Sequence, residues 1–124
     1  MRFTMIPNEV IDVYLRELKP GELKVLLVVL RQTLGYSQGK GSKRRKIQDW
    51  ISISQFKEKT GCDGKTISLA IQSLIDLGIV SVSDGQGNKL ASAQKRRGKR
   101  RLYFRQTLRT GDIRWITRGY EGDN

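Results

Sequence analysis

Apolar positions along this chain keep changing their spacing, and each change marks an element. In "IPNEVIDVYLREL", residues 6–18, Ile11, Tyr14, Leu15 and Leu18 recur three and four apart. That spacing predicts one face of a helix, with Asn8 beside Pro7 as its cap. "KPGELKVLLVVLRQTLG", residues 19–35, follows. Pro20 suits a first helical position, Glu22 a first turn and Gly35 a stop. Leu23, the run Val25 to Leu30, and Leu34 leave almost no polar face, so this helix is expected at the centre of the core. The rhythm shortens to two in "DWISIS", residues 49–54, where Ile51 and Ile53 predict a short strand. Ser54 is the expected cap of a short helix over "QFKEKTG", which Gly61 ends. Asp63 then caps a second helix, 63–77, whose inward stripe is Ile67, Ala70, Ile71, Leu74 and Leu77, with Gly78 as the stop. "IVSVS" (79–83) and "LYFRQ" (102–106) read as strands.

A helix, a tight turn at Gly61 and a second capped helix form a helix-turn-helix pattern. Three to four helices and a small β-hairpin predict an α+β, mainly α, winged helix-turn-helix over 1–106, with 107–124 as a tail. In that tail Trp115 and Ile116 are expected to cover the core. The hairpin is unusual, because residues 84–101 separate its strands, longer than an ordinary connection.

Charge changes the meaning of that loop. The chain has 24 Lys and Arg against 12 Asp and Glu. Residues 38–46 hold five of the cations and no anion, and 84–105 hold eight with one anion. Two short stretches thus carry the excess, and such density is most simply explained by a polyanionic partner. The loop cations Lys43, Arg44, Arg45 and Lys46, and the hairpin cations Lys89, Lys95, Arg96, Arg97, Lys99, Arg100 and Arg101, are the candidate phosphate contacts. On the outer face of helix 63–77, Lys65, Thr66, Ser68, Leu69 and Gln72 are the candidate base-reading residues. Lys and Gln donate to base edges, Ser contacts bases or phosphates, and Leu meets a thymine methyl. A plain solvated face is the competing reading, and the helix-turn-helix context outweighs it.

Other chemistries fit less well. "GCDGKT" lacks the distal glycine of a phosphate-binding loop, since Lys59 stands there, and a helix rather than a strand precedes it. The run 95–101 has the composition of a nuclear-localisation signal, but its place between two strands would then be coincidence. A basic RNA- or ribosome-associated protein is a more distant alternative, as "RRGKRRLYF" lacks the aromatic alternation of an RNA-recognition motif. With no His and one Cys, zinc-finger spacing and His-dependent catalysis are excluded. Carboxylates scatter over solvent faces, so no enzyme, cofactor or metal is expected. The longest apolar run, residues 25–30, is too short to span a bilayer, and the amino terminus has no signal-peptide character. A cytoplasmic, non-membrane protein is expected.

"FTMIPNEVID", "LRQTLGYS" and "ISISQFKEKTGCDGKTISLAIQSLIDLGIV" together resemble the amino-terminal domain of the bacteriophage replication protein O family, over about residues 3–83. The resemblance rests on Phe3 to Asn8, Arg31 to Tyr36 and Ile51 to Gln55, in that order and spacing. It implies a winged helix that binds repeated sites in a phage or prophage replication origin, inside a bacterial host cell. Residues 63–77 would be its recognition helix, with Lys65, Thr66 and Ser68 near the leading end. Leu69 stands where family members commonly have a basic residue. A transcriptional or excision regulator on the same fold is the alternative. Expected partners are double-stranded DNA and, as one option, a second copy of the chain on that DNA. The resemblance also implies recruitment of a replicative helicase or its loader. The chain ends at Asn124 with no room for that half, so such contacts would use residues not in this chain.

Overall fold

The computed structural model describes residues 2–35 and 47–108. The basic loop 38–46 and the Trp115–Ile116 part of the tail lie outside the described residues.

Helix α1 joins a wide π turn, Val10–Tyr14, to a short α segment, Leu15–Glu17. Val10 and Leu18 are buried, with Tyr14 partly so, whereas Ile11 is 56% exposed and Leu15 also faces out. The expected face is therefore corrected. A π turn advances less per residue than an α turn, which brings residues four apart into line and rotates Ile11 and Leu15 away. No side chain caps this helix, so Asn8 does not have the expected role.

Helix α2, Pro20–Thr33, begins as its sequence dictates. Pro20 takes the first turn, and the Lys19 N–H donates to the Glu22 carboxylate at 2.9 Å. Val25, Leu26, Val29 and Leu30 are almost wholly buried. This helix packs on α3, on α4 and on the central strand, each defined below, and so forms the middle of the core.

Helix α3, Ile53–Thr60, starts earlier than expected. Its cap is Ser52 rather than Ser54: the Gln55 N–H donates to Ser52 Oγ at 3.1 Å, and Gln55 Oε1 accepts from the Ser52 N–H at 2.8 Å. This reciprocal box overrides the two-residue alternation. Strand β1 shrinks to Asp49–Trp50, and Ile53 becomes helical. Gly61 ends α3 with φ 76°, a left-handed conformation in which a β-carbon would be strained.

Helix α4, Gly64–Asp76, is capped by Asp63 as expected. Ile67, Ala70, Ile71 and Leu74 are buried, but Leu77 is 58% exposed. The helix has ended by then, and Ile79, just past the turn, is buried instead.

Strands β2, Val80–Ser83, and β3, Tyr103–Gln106, complete an antiparallel sheet in the order β1-β3-β2. Val82 pairs with Phe104 and Val80 with Gln106. Leu102 lies outside the ladder, where its carbonyl accepts from the Ile51 N–H. The Phe56 and Phe104 rings meet edge to face, 5.1 Å between centroids, and fasten α3 to the sheet. The packed region reaches past 106: Thr107 Oγ1 donates to the Gly78 carbonyl, and Leu108 is buried. The class is α+β, mainly helical, and three core helices with this small sheet are consistent with a winged helix.

Candidate nucleic-acid interface

Asp63 sets the start of α4. Its carboxylate accepts from the Thr66 N–H at 2.8 Å, and hydrogen bonds from the Thr66 hydroxyl and amide hold its pKa below the ordinary aspartate value. Lys65 and Lys57 act in the same direction. Thr66 is exposed, yet its hydroxyl is committed to this cap and its methyl lies against Gly21. Lys65, Ser68 and Leu69 project outward from the following turns, with Leu69 63% exposed. An isolated leucine so open contributes nothing to the core.

Two of the candidate contact residues, Gln72 and Arg96, bond to each other within the protein. Gln72 Nε2 donates to Asp76 Oδ1 and to the Ala91 carbonyl, both at 2.9 Å. Its Oε1 accepts from Arg96 Nη2 at 3.0 Å. Arg96 in turn donates from Nη1 to the Leu90 carbonyl at 3.2 Å and is only 8% exposed. Both ends of Gln72, and the Arg96 guanidinium, are thus occupied within the protein. Burial lowers the pKa of Arg96, while the charge of Asp76 opposes that shift.

This latch gives the segment between β2 and β3 a structure of its own. The Asp84 carboxylate accepts from the Gln86 and Asn88 N–H groups and from Asn88 Nδ2, and closes a tight turn. Those bonds, led by the one from the Asn88 side chain, hold the Asp84 pKa low. The Leu90 N–H donates to the Val82 carbonyl at 2.8 Å, and Leu90 is buried. Ser92 caps a one-turn helix α5, Ala93–Arg96, accepting from the Lys95 N–H. Lys89, Lys95, Arg97, Lys99, Arg100 and Arg101 all remain exposed around this frame. A basic run read as a loop of free cations is therefore a folded arm latched to α4 through one buried arginine.

Two aromatic residues escaped the sequence reading. Trp50 and Tyr103 are partners across β1 and β3, and the Arg101 guanidinium sits over the Trp50 ring, 4.7 Å from its centroid. The alternation in "LYFRQ" did signal that Tyr103 and Arg105 face away from Phe104. Strand register, which sets Trp50 beside Tyr103, left no sequence signal. Among the described residues, no group of His, Cys, Asp and Glu could hold a metal ion, and no helix is long and apolar enough to cross a membrane.

The family model described as bacteriophage replication protein O matches residues 2–95. No curated protein and no solved structure gives a significant match. The matched span runs from before α1 into the latched arm and includes the whole helix pair. The chain therefore belongs to the bacteriophage replication protein O family, and with it to phage replication.

Proposed function

We propose that this chain binds double-stranded DNA sequence-specifically, as the origin-recognising part of a phage or prophage replication initiator. The observation that carries this reading is the outer face of α4. Lys65, Ser68 and Leu69 stand exposed there, and the same helix is latched to an arm bearing six exposed cations. In this reading α4 enters the major groove. Lys65 and Ser68 donate to base edges, and Leu69 meets a thymine methyl. Lys89, Lys95, Arg97, Lys99, Arg100 and Arg101 lie on phosphates and supply affinity rather than sequence choice. Lys43, Arg44, Arg45 and Lys46, which precede the helix pair in the chain, add a second phosphate contact. Gln72 and Arg96 touch no DNA; they hold the arm at a set distance from the reading helix. The role is binding, without a catalytic step. Family membership favours replication over a transcriptional or excision regulator.

Selection of bound sites from random duplexes tests this. One enriched sequence is expected, and Lys65→Ala or Ser68→Ala should relax choice at one or two base pairs, costing about 1–3 kcal/mol there. A pool that shows no enrichment would sink sequence-specific binding.

A further inference from the structure

Strand β3 presents Phe104 and Gln106 to the core and Tyr103 and Arg105 to the outside. Cross-strand partners share a face, so Trp50 and Tyr103 stand side by side on the outer face of the sheet. Trp50 is 38% exposed on a two-residue edge strand. Tyr103 is held in place from behind: a β-carbon on Gly85 would lie 2.6 Å from its ring, and Gly85 has φ 88°. These two rings, with Asp84, Lys99, Arg100 and Arg101, line an open groove of about 560 Å³. That volume falls within the range of small-ligand sites. Three cations face one carboxylate, and that carboxylate is already engaged by Gln86 and Asn88.

This chemistry is not what an intact duplex needs. A duplex offers phosphates and base edges, and its base faces are hidden by stacking. An exposed Trp50 and a half-buried Tyr103 among guanidinium and ammonium groups instead match a strand whose bases are unpaired. The rings stack on bases of any sequence, and the cations follow the backbone. We propose that this groove binds single-stranded DNA. An unpaired base is held by Tyr103 and by Trp50, over whose ring Arg101 already lies, and its flanking phosphates are held by Lys99 and Arg100. The site goes beyond the duplex reading: it leaves the α4 residues Lys65, Ser68 and Leu69 unused, and it shares Lys99, Arg100 and Arg101 with the arm that the duplex reading sets on phosphates. A protein with both surfaces would hold the duplex through its helix and one separated strand through its sheet.

The test uses the full chain with Trp115→Phe, which leaves Trp50 as the sole tryptophan, since the chain has two. Titration with an oligo-dT of about 15 nucleotides should quench Trp50 emission to saturation. Trp50→Ala should weaken oligo-dT binding about tenfold, read by anisotropy, and Trp50→Phe should retain most of it. Binding to a selected duplex should change less than about twofold in both, because sequence reading belongs to α4. Unquenched Trp50 emission overturns the proposal without relying on any variant of the groove. So does an equal loss on duplex and oligo-dT in Trp50→Ala. A parent protein that shows no duplex preference but binds oligo-dT through Trp50 would instead overturn the duplex reading and support this one.

Discussion

Replacing Arg96 by Ala separates a latched arm from a loose basic loop. The guanidinium makes two hydrogen bonds, one to the buried Leu90 carbonyl and one to Gln72 Oε1. A bond from a charged donor is worth roughly 1.5–3 kcal/mol, and the Leu90 carbonyl would be left without that donor in a site closed to water. The bond to part-exposed Gln72 is replaceable by water and is worth roughly 0.5–1 kcal/mol. Against these stands the cost of keeping a cation 92% out of solvent, which the alanine variant no longer bears. The net expectation is a loss of about 2 kcal/mol. Arg97→Ala, one residue away and exposed, should cost less than about 0.5 kcal/mol. Urea unfolding of both variants, with the slope unchanged, gives the comparison. Hydrogen exchange at the Leu90 amide, which donates to Val82, reports whether the arm opens on its own. Equal stability of the two variants together with undiminished Leu90 protection would refute the latch.

Three further outcomes are expected. Leu74, fully buried on α4, should lose about 2–5 kcal/mol on replacement by Ala, and a loss below about 1 kcal/mol in denaturant unfolding would contradict its place in the core. Asp63 and Asp84 both have pKa values below the ordinary 3.8, so their contribution to stability is complete above that value and disappears as pH falls through the lowered folded values. Carboxyl-carbon NMR titration should place both midpoints below 3.8, and a midpoint at or above it for either residue would remove its hydrogen bonds from the account. Changing Lys95, Arg97, Lys99, Arg100 and Arg101 to Gln, with Arg96 retained, should leave the melting temperature nearly unchanged. The slope of log affinity for duplex DNA against log salt should become shallower by about 0.9 for each phosphate that the variant no longer neutralises, and an unchanged slope would remove the arm from the interface.

Much of the helical frame was legible in the residues themselves, because its signals are local. Pro20 with Glu22, the Asp63 cap and the left-handed Gly61 are decided within a turn of chain, and the spacing of Ile67, Ile71 and Leu74 fixes their face. The departures arose where a second local signal competed. A capping box at Ser52 and Gln55 overrode the alternation of Ile51 and Ile53, and a π turn rotated α1 away from its apparent stripe.

The concentration of positive charge in two stretches was equally plain from sequence, and so was the outward row Lys65, Ser68 and Leu69. The division of labour among the cations was not. Arg96 differs from Arg97 only in which way it points from a one-turn helix, and that depends on Gln72, 24 residues earlier, and on a carbonyl six residues away. The Trp50–Tyr103 pair likewise exists only because β3 enters the sheet between β1 and β2 in one register. Periodicity and capping are properties of neighbours along the chain, so sequence determined the elements and where the charge lies. Hydrogen bonding and strand register join residues far apart in the chain, so only the tertiary structure decided which cations remain free and which aromatic rings meet.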